Sequence, residues 1–326
     1  MNIIKDFLAS ANSGEGFVEY FDYINDKSKN DFTFVLKGAP GSGKSTLMRR
    51  LGEYFFAKGY NVEFFHCSSD VSSLDGVRIC ELNTAVVDGT APHVREAKIP
   101  LVDGKIVNLC DYANEREIAR HRKIIQEQIS KKQACFGVAY ALIAAAKKID
   151  NSFKFFGSSD GFSAEKILER LGLEKKSGQS VFNRKLFGSA VTSEGITNLI
   201  NEGDFSVIAV EETSEENISG LIKAINALGY GVTEIMEVLN PRDRHERLII
   251  EDARKIVRFE KRKPVSKEET DLRNEAENIL KTAGRLLDEA KAYHKTVEEV
   301  YIQNMDFAGL DTCRESIISQ IEQMRL

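Results

Sequence analysis

The run Gly38-Ala39-Pro40-Gly41-Ser42-Gly43-Lys44-Ser45 spaces glycines, a lysine and a hydroxyl in the pattern G-x-x-x-x-G-K-[ST], with a match at every fixed position. Glycine lets successive backbone N–H groups turn inward on one anion, and a helix opening at the lysine adds its positive dipole end. In such a loop Lys44 reaches the β- and γ-phosphates of a nucleoside triphosphate, and Ser45 holds a magnesium ion. The expected phosphate cradle runs from Gly38 through Thr46, with a strand at 32–37 before it and a helix at 44–57 after it.

A magnesium ion at Ser45 calls for a carboxylate at a neighbouring strand end. Asp88 closes the apolar run Ala85-Val86-Val87 and is the expected second magnesium residue. Gly89 follows it where many motor-type ATPases place a glutamate base, so hydrolysis is expected to be slow. Asp70, and Asp75 beyond it, follow the strand expected at 61–67, where ligands of parallel sheets bind. Asp70 reads either as a catalytic or magnesium residue or as the cap of a turn. His66 reads as a packed strand residue, and His93, after Pro92, as either a γ-phosphate contact or a loop residue. The expected catalytic set is Lys44, Asp88 and Asp70, with ATP and magnesium as cofactors. No N-K-x-D guanine-reading motif, protein-kinase motif set or ABC-type motif is present, Ser177-Gly178-Gln179 being only a faint echo of the last.

Composition narrows the setting. The 326 residues carry a net charge of -5, which offers no overall electrostatic footprint for nucleic acid. Five scattered cysteines without C-x-x-C spacing suggest neither a disulfide framework nor a zinc site. No apolar run is long enough to span a membrane, and residues 1–10 do not read as a leader, so a cytoplasmic protein is expected.

The elements that must position these residues occur twice. Residues 7–16 read onto 186–195 without a gap, with four of the ten positions identical. Gly59-Tyr60 likewise reads onto Gly229-Tyr230, and Ile79, Glu81 and Val87 onto Ile249, Glu251 and Val257 at the same offset. The strand at 32–36 matches 205–209, but three residues are missing in the second copy where the glycine loop would be. Glu211-Glu212-Thr213-Ser214-Glu215 puts carboxylates where phosphate oxygens would lie, and Arg258 stands at the position of Asp88. The second copy is therefore expected to keep the fold and lose the nucleotide. A cluster in it, Arg242, Arg244 and Arg247, offers either a solvated loop or an arginine finger for the first site.

Strands alternating with helices imply an α/β protein of the P-loop NTPase type, with a mostly parallel, helix-covered sheet in each copy. Long polar helices follow each sheet, at about 115–148 and 267–303; in the second, Leu272, Ile279, Leu286, Tyr293 and Val300 recur every seven residues. Shorter helices are expected at 164–171 and 311–324. The expected organisation is a nucleotide-binding lobe at 1–110, a helical arm at 111–178, a degenerate lobe at 179–263 and a second arm at 264–326. The arms either pack on each other or grip a protein partner.

With Gly38 to Thr46, His66-Cys67-Ser68-Ser69-Asp70, Ser73-Leu74-Asp75-Gly76 and Asp88-Gly89-Thr90-Ala91-Pro92-His93, the chain resembles a group of little-characterised bacterial tandem P-loop ATP-binding proteins. Members of that group look like predicted ATPases, often with a P-loop in each half; this chain departs from them in its second loop. Three activities are open at this point: a magnesium-dependent ATPase, a small-molecule kinase with Asp70 as general base, and a nucleotide-dependent switch acting through the arms.

Overall fold

The computed structural model describes residues 2–92, 94–153, 162–176, 181–203, 205–261 and 263–324. His93 and Ser177-Gly178-Gln179 lie outside the described residues. The protein is mixed α/β with two large mixed sheets. In the first, β1 (Ile4–Phe7), β5 (Val62–His66), β6 (Leu74–Ile79), β7 (Thr84–Asp88), β4 (Phe32–Lys37) and β8 (Gly104–Asn108) lie side by side in that order. The second sheet runs β12 (Ser206–Glu211), β15 (Lys255–Glu260), β14 (His245–Ile250), β13 (Thr233–Met236) and β9 (Arg184–Phe187). Read from the other edge, its order and strand directions repeat those of β1, β5, β6, β7 and β4. Small hairpins, β2 (Ser10–Ser13) with β3 (Gly16–Glu19) and β10 (Ser189–Thr192) with β11 (Gly195–Asn198), follow the first strand of each sheet.

The sheets are less parallel than the sequence suggests. β5, β6 and β7 pair antiparallel, because the links at 67–73 and 80–83 are too short for a crossover. Helix cover is also one-sided. α1 (Lys44–Ala57) buries Leu47, Met48, Leu51 and Phe55 against Phe34, Leu36, Val62 and Val77 on one face of the first sheet. On the other face Val35, Phe65, Ala85 and Val87 join Leu186, Ile235, Ile249 and Ile256 of the second sheet in one apolar cluster. The far side of the second sheet is closed by α5 (Glu215–Ala227) and α4 (Ala164–Leu171).

The helical segments do not stay with the sheet they follow. α4 comes after the first sheet and packs on the second, through Ile167 and Leu171. α7 (Phe307–Gln323) comes after the second sheet and packs on α1, through Leu310, Ile317 and Ile321. The first long helix is broken at His121 into α2 (Glu115–Arg120) and α3 (Arg122–Ser152), and α3 lies along α6 (Lys267–Ile302). Lys131 meets Tyr293 near one end and Arg273 meets Phe153 near the other, so the two helices run antiparallel and pack on each other within the chain. Of the heptad seam, the buried row is Ala276, Ala283, Ala290 and Val297, whereas Leu272 is exposed. Among the described residues no helix is long and apolar enough to cross a membrane.

The two halves meet at Leu8 and Phe187, which match when residues 7–16 are read onto 186–195 and which exchange both backbone hydrogen bonds, at 3.0 and 2.9 Å. Around them the hairpin turns rest on the long helices, the first on α3 beside Ala144 and the second on α6 at Gly284. A methyl group at Gly284 would lie 1.9 Å from the Thr192 carbonyl oxygen. Gly284→Ala is therefore expected to destabilise the protein by about 1–3 kcal/mol. Gly137→Ala in α3, where nothing lies within 4 Å, is expected to be neutral or stabilising by up to about 1 kcal/mol. Thermal melting of the two variants checks the contrast; equal melting temperatures would contradict the tight seat of the hairpin.

Candidate functional site

β4 is flanked by β7 and β8 and carries a nearly continuous apolar run, as a strand buried on both faces does. Its C-terminal end delivers the chain into the loop of residues 38–43. Gly41 and Gly43 take φ values of 77° and 87°, a region that disfavours residues with a Cβ. Gly43 is also the N-cap of α1 and offers no side chain to the first turn, so the N–H groups of Lys44, Ser45 and Thr46 point into the loop mouth without an intrahelical partner. The Ser42 hydroxyl is buried with no hydrogen-bond partner.

Lys44 folds back over this loop. Its Nζ donates to the Gly38 and Ala39 carbonyls at 2.6 and 3.0 Å and lies 3.6 Å from Oδ2 of Asp88. Asp88 is opposite Leu36 in the β4–β7 register, and its Oδ1 accepts the Thr90 N–H at 2.8 Å. Thr90 in turn donates its hydroxyl to the Gly38 carbonyl at 2.9 Å, tying the acid's loop to the glycine loop. Ser45 Oγ accepts the Leu74 N–H at 3.0 Å. Next to Leu74, Asp75 has its pKa pushed up to about 7, by burial first and then by the charge of Asp88.

The remaining acid and histidine have local partners. Asp70 accepts from the Ser72 N–H and hydroxyl and pairs with Lys291 at 2.7 Å; despite burial these bonds hold its carboxyl below the usual range. It thus caps a turn and anchors α6 beside the loop. His66 is bound between Asp6, at 2.8 Å, and the Val71 carbonyl, at 2.6 Å.

Sequence reasoning missed the cover of the loop. The last turns of α6 lie directly on it: a Cβ at Gly41 would fall 2.5 Å from the Glu298 carbonyl oxygen. One turn earlier His294 Nδ1 lies 2.9 Å from Nζ of Lys132 on α3. Burial, then the charges of Lys132 and Lys44, lower the His294 pKa to about 4. Burial and the charge of Lys44 also lower that of Lys132, whereas burial and Asp70 raise that of Glu298. These residues come from two helices far apart in sequence, and the available signal was only a few polar residues beside two apolar stripes.

No family model, curated protein or solved structure matches this chain.

The corresponding place in the second sheet is built differently. Ala209 faces Arg258 where Leu36 faces Asp88, and only residues 212–214 link β12 to α5. Ser214 caps α5 by accepting the Asn217 N–H at 3.3 Å, an internal partner that α1 lacks. A cavity of about 220 Å³ at these strand ends is lined by Glu212, Glu237, Arg244, His245, Glu246 and Lys261. Its cations are taken up by carboxylates: Arg244 pairs with Glu212, Asp150 and Glu237, and Lys261 with Asp150 and Glu237. Arg247 pairs with Glu202 and Glu246, and Arg242 lies 3.3 Å from Glu15. Of the two readings of Arg242, Arg244 and Arg247, the finger finds no support: the three guanidinium groups are engaged with carboxylates outside residues 38–46.

The residues of the first site fit a phosphate and a divalent ion. Glycine backbone, the unpartnered Ser42 hydroxyl and Lys44, which donates to two carbonyls with Asp88 3.6 Å away, would receive the anion. Among the described residues no three His, Cys, Asp or Glu side chains are grouped to hold a metal on their own. A magnesium ion here would depend on Ser45, Asp88 and the phosphates themselves.

Proposed function

We propose that the chain is an ATP-binding protein of the P-loop type with slow magnesium-dependent nucleoside triphosphatase activity, one working site and one degenerate copy. The observation that carries this reading is the meeting of Lys44 with Asp88, at 3.6 Å, over a two-glycine loop at the end of β4. The β-phosphate would lie against the N–H groups of the loop, with Lys44 leaving its carbonyl partners for the β- and γ-phosphates. Magnesium, when bound by Ser45 and Asp88, supplies charge neutralisation at the phosphates. Asp88 is followed by Gly89, so the position next to it in sequence holds no carboxylate to activate water.

We also infer an internal duplication, supported by the repeated strand order and the mutual Leu8–Phe187 bridge. The shortened, serine-capped link before α5 supports loss of the second nucleotide. Titration calorimetry is expected to give one nucleotide per chain, and a phosphate-release assay slow turnover that requires magnesium. A stoichiometry near two would refute the degenerate copy. A second reading, a nucleotide-dependent switch, is favoured by the contact of α6 with Gly41: ATP binding without turnover, with altered protease protection of α6, would select it.

A further inference from the structure

Lys132 is a half-buried cation with an unusual set of neighbours. Its hydrogen-bond partner is the neutral imidazole of His294, at 2.9 Å, and its ammonium lies 5.9 Å from the centre of the Phe136 ring. Among the described residues no carboxylate pairs with it, although Lys291, three residues before His294, is neutralised by Asp70. Burial weighs most against the Lys132 charge; the nearby Glu298 carboxylate favours that charge and the charge of Lys44 disfavours it. Like charges at Lys44 and Lys132 repel, and an anion in the space between them would reverse the sign of the interaction.

The position of that space is fixed by the helix backbone. The Glu298 carbonyl rests against Gly41, which seats α6 on the loop. His294 lies one turn earlier on the same face and holds Lys132 beside the loop mouth. The first phosphate in this loop would be taken by the N–H groups of α1 and by Lys44. The group left to face the helices is the terminal phosphate. A lysine that merely extends its stem along apolar surface would turn its ammonium to water. Lys132 instead turns it to a histidine over the loop.

We propose that Lys132, held by His294, is a second phosphate-binding lysine that contacts the terminal phosphate of the bound nucleotide, so that the site prefers a triphosphate to a diphosphate. This rests on the nucleotide-binding reading of the loop. It places the discriminating group on α3, outside the sequence motif, and couples the long helices to the state of the nucleotide.

The test compares affinities of the full chain for a non-hydrolysable ATP analogue and for ADP, both with magnesium, by titration calorimetry. Lys132→Gln is expected to weaken the analogue about tenfold or more and to leave ADP within about twofold. Lys132→Arg should restore most of the preference. Lys132→Met keeps the stem against Phe136 and is expected to give the Gln result, which guards against a disturbed α3. An unchanged ratio of the two affinities in both neutral variants, or an equal loss for both nucleotides, would overturn the proposal. A parent chain that binds neither nucleotide would overturn the loop reading itself, and this inference with it.

Discussion

Replacing Glu63 by glutamine is expected to destabilise the protein by about 3–5 kcal/mol, the cost of leaving a buried charge without its partner. Both oxygens of Glu63 accept from the Arg184 guanidinium at 2.7 Å, and the two side chains are each only 2% exposed. The pair joins β5 of the first sheet to β9 of the second. Arg78 adds a contact to Glu63 at 3.2 Å, Arg184 also reaches Glu251 at 2.7 Å, and Lys5 binds Glu251. Despite burial, Arg184 and then Arg78 hold the Glu63 carboxyl well below its ordinary value of 4.5. A carboxylate so depressed adds stability above the unfolded value, and that stability drains away as the pH falls toward the folded one. The deficit of Glu63→Gln should therefore be complete at pH 7 and shrink below about pH 4.5. Urea midpoints across that range check it. A double exchange, Glu63→Leu with Arg184→Met, should recover much of the loss, because two apolar groups need no partner. A midpoint for Glu63→Gln equal to that of the parent at pH 7 would show that the buried pair does not join the halves.

The second large effect is on binding. Lys44→Ala is expected to lower ATP affinity by about 1.5–3 kcal/mol, roughly tenfold to more than a hundredfold, while the fold persists. Lys44 bonds only to the Gly38 and Ala39 carbonyls and pairs at 3.6 Å with Asp88, so no apolar contact of the core depends on it. Calorimetric titration with ATP and magnesium, alongside circular dichroism of the same sample, separates the two properties. Unchanged affinity would remove the loop from the site.

The parts legible in the sequence were those set by local geometry. β4 and α1 have the bounds expected from the apolar run and the glycine-lysine spacing, and Asp88 ends a strand beside β4. Pairing partners were less legible. The Leu74–Ile79 strand reads the same whichever way it runs, and its direction is decided by the length of the turn before it. β1 and β8 carry charged residues, Lys5 and Asp6 or Lys105, and show little of the alternation that marks a strand. The heptad rows of α6 predicted a seam and left open what it faced. Alanines at 276 and 283 bring α3 close, and this packing seats Lys132 and His294 over the loop. No spacing rule connects residue 132 to residue 44.

The exchange of α4 and α7 between the halves also bears on synthesis. A chain emerging from the ribosome releases α4 before any strand of the second sheet, so that sheet can be covered as it forms. The first sheet has the opposite fate. Leu47, Leu51 and Phe55 of α1 share their cluster with Leu310, Ile317 and Ile321, which emerge only after the whole second sheet and α6. The half made first is thus completed last, and the glycine loop at its edge receives the lid of α6 only at that late stage. Long-range closure of this kind slows folding and leaves apolar surface open during translation. The sheet that carries the glycine loop matures only in the finished chain, with the inner face of α1 left open in the interval.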